Sequence, residues 1–151
     1  MGTWPKNEMP IDRRMLHLCL AATIGKKRYG WGYKPKPGSD SHSWLRTDCS
    51  GYVRWMISRI AGVTIPMGSI GQRAWFAANN FKVTSYEHAG LDDGRLRVGV
   101  WSPGWRGAGH IWMVLNGRTI ESYGGHGPGR NPWDIYRRRV EACFVLTGPP
   151  E

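Results

Sequence analysis

The spacing of apolar residues divides the chain into a helical first half and a second half made of strands. In the first half, apolar residues recur every three or four positions, which is the spacing of one helix face. Helices are predicted over residues 11–24, 49–61 and 69–79. Beyond Asn80 the apolar runs are shorter and predict strands at 81–83, 96–101, 110–115, 118–123 and 140–146. Helices followed by strands that short turns connect indicate an α+β fold, with the helices packed on an antiparallel sheet.

The Asn-Gly dipeptide at 116–117 lies between two of these strands and is a strong hairpin signal, because both residue types tolerate the positive φ angles of a tight turn. Counting outward from this turn places Trp112 opposite Glu121 and His110 opposite Tyr123. Side chains alternate between faces, so His110 and Glu121 share a face as diagonal neighbours roughly 7 Å apart at the backbone. We expect Glu121 to accept the Nδ1–H of His110 and to leave the other ring nitrogen for a nucleophile.

Cys49 lies where a polar turn becomes the second predicted helix. Thr47 and Asp48, just before it, are residue types that cap helix N-termini, so Cys49 falls in the first turn. The unpaired N–H groups and the helix dipole there favour a negatively charged thiolate. A buried structural thiol is the simpler interpretation of this cysteine alone. Because His110 and Glu121 lie on one hairpin face, we interpret Cys49 instead as a nucleophile with an oriented base.

The charge of the chain is strongly basic, which indicates a polyanionic partner. Twenty-one Lys and Arg residues against eleven Asp and Glu give a formal net charge of +10. Nucleic acid and an anionic bacterial wall or membrane surface would both attract this charge. The sequence has no zinc-finger or RNA-recognition signature, so specific nucleic-acid binding is not expected.

The length of 151 residues suits one domain over 1–151, with residues 1–10 as a flexible arm. Cys19, Cys49 and Cys143 are widely spaced, so we predict neither a disulfide framework nor a metal site, and we expect no cofactor. The sequence contains no apolar run that makes a transmembrane segment or a convincing signal peptide. We therefore expect synthesis in the cytoplasm and delivery to any outside target by other means.

Residues 47–53, Thr-Asp-Cys-Ser-Gly-Tyr-Val, resemble the Asp-Cys-Ser-Gly-hydrophobic-hydrophobic signature of the NlpC/P60 cysteine peptidases, papain-like enzymes that cut peptidoglycan peptides. Residues 29–32, Tyr-Gly-Trp-Gly, resemble the Tyr-x-Trp-Gly element of that family. The stretch 109–117 resembles its Gly-His-hydrophobic strand and turn, and 119–121 resembles the strand that supplies a third polar residue. The resemblance extends over residues 12–123 and implies a papain-like NlpC/P60 fold.

The resemblance also implies roles for individual residues. Cys49 would be the nucleophile, His110 the base and Glu121 the residue that orients His110, with His126 in the glycine-rich loop as a rival for the third position. The residues expected to bind substrate are Tyr29, Trp31, Asp48, Ser50, Trp112 and His126. The walls of the cleft are expected from Trp31, Trp44, Trp105 and the loop after Tyr123.

The function that these residues predict is cysteine-dependent hydrolysis of peptide or amide bonds in bacterial cell-wall peptidoglycan, without a metal. Small size and basic charge resemble phage lysins, released through holin-dependent lysis, and tail-associated wall hydrolases carried on the virion. An interbacterial amidase toxin of the same fold is the nearest alternative. A non-catalytic wall-binding or virion structural module is a second, and charge alone suggests nucleic-acid binding as a third.

Overall fold

Three α-helices form the first half of the chain in this computed structural model, which describes residues 8–102 and 109–148. Helix α1 covers Arg13–Thr23, α2 covers Cys49–Ala61 and α3 covers Ser69–Ala78. Helix α1 begins at Asp12, whose side chain accepts the N–H of Met15, and α2 ends at Gly62 with a φ of 67°. Both ends use the residue types that favour such caps, and the three predicted helices are confirmed.

Helix α2 lies at the centre of the hydrophobic core. The helical spacing of its apolar residues predicts an inner face of Tyr52, Val53, Met56, Ile57 and Ile60, and all five are buried, so this prediction is confirmed.

For α3 the same spacing predicts an inner face with Ile70, Ala74, Trp75 and Ala78, and this prediction is wrong. Ile70 is 72% exposed, and the residues that α3 buries are Gln72 and Phe76.

The flexible arm predicted over residues 1–10 does not extend to Met9. Met9 is buried in the core and its N–H donates to the carbonyl of Leu146 at 2.6 Å. Residues 1–7 lie outside the described part of the chain.

The second half of the chain forms an antiparallel sheet with the strand order β3-β8-β4-β5-β6-β7. The strands are β3 (Lys82–Val83), β4 (Leu96–Trp101), β5 (His110–Leu115), β6 (Arg118–Tyr123), β7 (Gly127–Gly129) and β8 (Ala142–Val145). A separate parallel pair, β1 (Arg28–Tyr29) and β2 (Arg46–Thr47), precedes α2. The α+β class with helices on an antiparallel sheet is therefore confirmed.

The β5–β6 hairpin has the predicted register next to its turn, where Leu115 pairs with Arg118 and Met113 with Ile120. The pairing of these two strands ends there. On its other edge, β6 pairs with β7 from Glu121 to Tyr123. The predicted pairing of His110 with Tyr123 is therefore wrong, because the two strands separate before they reach it.

The sheet has apolar residues on both faces. On the helical face, Ile111, Met113 and Ile120 belong to the same core as α2. On the other face, Trp112 and Val114 form a smaller cluster with Tyr86, Ala89 and Cys143. Two 3-10 turns, Tyr86–Gly90 and Trp133–Tyr136, supply residues that cover this second face. No helix within residues 8–102 and 109–148 is long and apolar enough to cross a membrane.

Candidate active site

The turn that carries Cys49 is held by polar contacts of its capping residue. Asp48 Oδ1 accepts the N–H of Gly51 at 2.7 Å, which caps the start of α2. Asp48 Oδ2 accepts a hydrogen bond from Lys34 Nζ at 2.7 Å, and the same ammonium donates to Ser50 Oγ at 3.0 Å. Gln72 adds a further contact, because its Nε2 donates to the carbonyl of Ser50 at 2.9 Å. The cysteine is therefore placed by a fixed first helical turn.

Cys49 itself is half-buried, and its Sγ lies 3.9 Å from the carbonyl oxygen of Gly109, the residue before the strand histidine. Cys49 is also close enough to His110 to contribute to the raised pKa of that ring. The start of α2 and the start of β5 therefore lie next to each other.

Glu121 lies on the other side of the same ring. Its Oε1 is 2.8 Å from His110 Nε2, and the Glu121 side chain is fully buried. The predicted partnership of these two residues is present, but the nitrogen is Nε2 and not Nδ1 as expected. Because an imidazole has only two nitrogens, Nδ1 is the one left for Cys49.

Two residues that the sequence did not single out hold Glu121 in place. Asn131 Nδ2 donates to Glu121 Oε2 at 3.0 Å, and the Tyr136 hydroxyl donates to Oε1 at 2.5 Å. Burial raises the pKa of Glu121, but the hydrogen bonds from His110, Thr119, Tyr136 and Asn131 outweigh burial and lower it overall. Glu121 is therefore a buried carboxylate that keeps its negative charge because its donors compensate for the lost water.

The ionisation of His110 follows from its two neighbours. Burial lowers the pKa of His110, but the hydrogen bonds and charges of Cys49 and Glu121 outweigh burial and raise that pKa from 6.5 to about 9. At neutral pH the ring is therefore charged.

Aromatic rings fix the plane of His110. Trp112 stacks on it with ring centroids 5.2 Å apart and an interplanar angle of 23°. The Tyr136 ring lies 5.2 Å away on a tilted plane. Trp112 donates through Nε1 to the Tyr86 hydroxyl at 3.0 Å and is fully buried. The expectation that Trp112 binds substrate is therefore wrong, because its ring supports His110 from inside the protein.

Asp48 and Ser50, also expected at the substrate, are 7% and 4% exposed. Their side chains are engaged by Lys34 and by the first turn of α2, so the structure gives them the task of holding Cys49. Burial raises the pKa of Tyr29, and the nearby charges of Cys49 and Asp48 raise it further. Tyr29 therefore lies close to Cys49, and its predicted role at the substrate stays a prediction.

The remaining predicted residues are scattered around this site. Trp31 is 71% exposed. Trp44 packs edge-on against Trp55 with centroids 5.1 Å apart. His126 is exposed and contacts the Tyr123 ring at 4.7 Å, so Glu121 and not His126 is the partner of His110. Trp105 lies outside the described residues. In the described ranges, no three His, Cys, Asp or Glu side chains are grouped to hold a metal ion.

Two solved structures share this arrangement of helices and strands. One, described as similar to a lipoprotein of the NLP/P60 family from Staphylococcus aureus subsp. aureus Mu50, is 19% identical with a TM-score of 0.54 and covers 98% of this chain and 46% of that one. The other, the P60 domain of an antigen from M. avium subspecies paratuberculosis, is 19% identical with a TM-score of 0.56 and covers 91% of this chain and 95% of that one. The chain has the NlpC/P60 fold. This chain spans about half of the staphylococcal protein, since the alignment covers 46% of the length of that protein.

No protein-family model matches the chain, and no curated protein matches it significantly by sequence. The structural likeness therefore concerns the NlpC/P60 fold, and the chemistry has to be argued from the residues of this chain. Those residues are a thiol at a helix start, a charged imidazole and a buried carboxylate in contact. Such a chain of groups can support nucleophilic attack on an acyl carbon and protonation of the group that leaves.

Proposed function

We propose that the protein is a cysteine-dependent amide hydrolase that acts on the peptides of bacterial peptidoglycan. The observation that carries this proposal is the contact series from Cys49 through His110 to the fully buried Glu121. The NlpC/P60 fold and the resemblance of residues 47–53 to the signature of those peptidases support the choice of substrate.

The reaction begins when the thiolate of Cys49 attacks the carbonyl carbon of a peptide bond. The developing oxyanion is held at the start of α2. Asp48 already accepts the N–H groups of Gly51 and Tyr52 there, so those two donors are occupied. Among the described residues, no protein group accepts the N–H of Cys49. This N–H is therefore the donor that we assign to the oxyanion. His110 then gives its Nδ1 proton to the leaving nitrogen, the carbon–nitrogen bond breaks, and a thioester with the sulfur remains.

Water completes the reaction by attacking the thioester carbon. His110 takes a proton from that water, the carbon–sulfur bond breaks, and the acyl part leaves as a carboxylic acid. The thiolate and the charged ring are thereby restored. Glu121 keeps its charge throughout and stabilises the protonated ring. Its hydrogen bonds with His110, Asn131 and Tyr136 stabilise that charge in a buried position.

The place of action that follows from this function is the bacterial cell wall. A phage lysin or a tail-associated hydrolase is the form we favour, because a net charge of +10 promotes adhesion to an anionic wall. An interbacterial amidase toxin would share the same site. The biological source of the chain distinguishes such a toxin from a lysin.

The deciding experiment is digestion of purified sacculi, followed by mass spectrometry of the released peptides. The wild-type protein is expected to create new peptide ends, and Cys49→Ala is expected to create none. Cys19→Ala is the matched control, because Cys19 is a buried thiol on α1 and does not belong to the cluster of Trp112, the ring that stacks on His110, so its loss should leave digestion intact. Equal digestion by Cys49→Ala would refute the proposal. Binding to sacculi without digestion would favour a wall-binding module, and salt-sensitive DNA binding without digestion would favour a nucleic-acid-binding protein.

A further inference from the structure

A cavity of about 470 Å³ opens beside the 3-10 turn Trp133–Tyr136. Its lining consists of Asp134, Ile135, Arg137, Arg138 and Arg139. All five residues are exposed, so the cavity is open to a ligand from solvent.

The charge in this cavity is only partly compensated. Arg137 pairs with Glu87, with Nε and Oε1 2.8 Å apart. Asp134 is the one acidic side chain in the lining. Within residues 8–102 and 109–148, neither Arg138 nor Arg139 forms a salt bridge. Two guanidinium groups are therefore available to an anion.

The cavity adjoins His110 through two aromatic side chains. The guanidinium of Arg139 lies over the Trp101 ring, 5.5 Å from its centroid. Trp101 is directly opposite His110 in the β4–β5 ladder, so the two side chains point to the same face. Tyr136, which immediately precedes the three arginines, lies 5.2 Å from the His110 ring. Trp101 and Tyr136 therefore connect the arginine-lined cavity to His110.

We propose that Arg138 and Arg139 bind a carboxylate on the leaving-group side of the substrate, and this inference rests on the proposed function. The part of the substrate that leaves has to lie next to His110, because His110 supplies its proton. Guanidinium groups bind carboxylates through paired, charge-assisted hydrogen bonds. The lining is confined to residues 134–139 and includes Asp134 and Ile135, so it does not form the extended basic track that a polymeric phosphate requires.

The test compares two forms of a soluble peptidoglycan peptide that the sacculus digest shows to be cleaved. The forms differ only in a free carboxylate or a carboxamide on the residue that leaves with the amine. For the wild type, kcat/KM is expected to be about tenfold higher for the carboxylate form, because charge-assisted hydrogen bonds contribute roughly that factor or more. Arg138→Gln with Arg139→Gln should bring the ratio to about one while cleavage of the carboxamide form is retained.

Arg14→Gln is the matched control, because it removes the same charge from an exposed position on α1, and it should leave the ratio unchanged. Equal cleavage of both forms by the wild type would overturn the inference and leave the proposed hydrolase intact. An equal loss with both forms in the double variant would also overturn it. Competition by polyphosphate without any preference between the peptides would assign the arginines to a phosphate polymer instead. Cleavage of neither peptides nor sacculi would refute the proposed function itself.

Discussion

Replacing Glu121 with Gln removes the negative charge behind His110 but preserves the size of the side chain. Glu121 is fully buried and lies 2.8 Å from Nε2, so little solvent screens its effect on the ring. A hydrogen bond to a charged group contributes roughly 1.5–3 kcal/mol, and one pKa unit corresponds to about 1.4 kcal/mol. The pKa of His110, raised to about 9 in the wild type, should therefore fall by roughly one to two units in Glu121→Gln.

The measurement is the pH dependence of kcat/KM on soluble peptidoglycan fragments. Activity needs the protonated ring, so the wild-type rate should decline as pH rises through about 9. In Glu121→Gln this decline should begin at a lower pH, and turnover at neutral pH should weaken. His126→Ala is the control and should leave the profile in place, because His126 contacts Tyr123 and not His110. A profile that His126→Ala shifts and Glu121→Gln does not would refute the assignment of the third residue.

Three other changes test the surroundings of the site. Tyr136→Phe removes a donor from Glu121 Oε1, which strengthens the pull of that carboxylate on His110, so the decline in rate should move to higher pH, the opposite direction to Glu121→Gln. Gly51→Ala would place its Cβ 2.8 Å from Asp48 Oδ1, and denaturant unfolding should show a loss of roughly 1–3 kcal/mol. Because folding raises the pKa of His110 from 6.5 to about 9, its stabilising contribution is complete below about 6.5 and is lost as pH rises through about 9. The Tm should therefore fall over that window, and this fall should be smaller in His110→Ala; an unchanged fall would contradict the charged ring.

Much of the fold was predictable because its signals are local. Helix α2 follows from apolar spacing and from the cap that Asp48 provides, and the hairpin turn follows from the Asn-Gly dipeptide at 116–117. The error in α3 has a physical cause. A fully buried Gln72 replaces an apolar residue on the inner face and bonds to two carbonyl groups, so hydrophobicity alone selected the outer face with Ile70.

The site was predictable only as far as the register could be counted. Alternation along the strands predicts His110 and Glu121 on one face, but the β5–β6 ladder ends at Met113, which counting from the turn does not reveal. Strand β7 pairs with the other edge of β6 and consists of Gly and Pro, so it carries no periodic signal. Lys34, which holds Asp48, lies in a loop whose sequence gives no hint of its partner.

The donors to Glu121 show why a buried acid was hard to infer from the chain alone. An isolated carboxylate of this burial would be strongly disfavoured, so its presence requires compensating donors. Asn131 and Tyr136 supply them from 10 and 15 residues further along the chain, in a segment that also carries the three arginines of the cavity. The segment that fixes the charge of Glu121 therefore also carries the arginines that we propose bind the carboxylate of the leaving group. A displacement of the Trp133–Tyr136 turn would disturb catalysis and carboxylate recognition together, whereas Arg138→Gln with Arg139→Gln separates them.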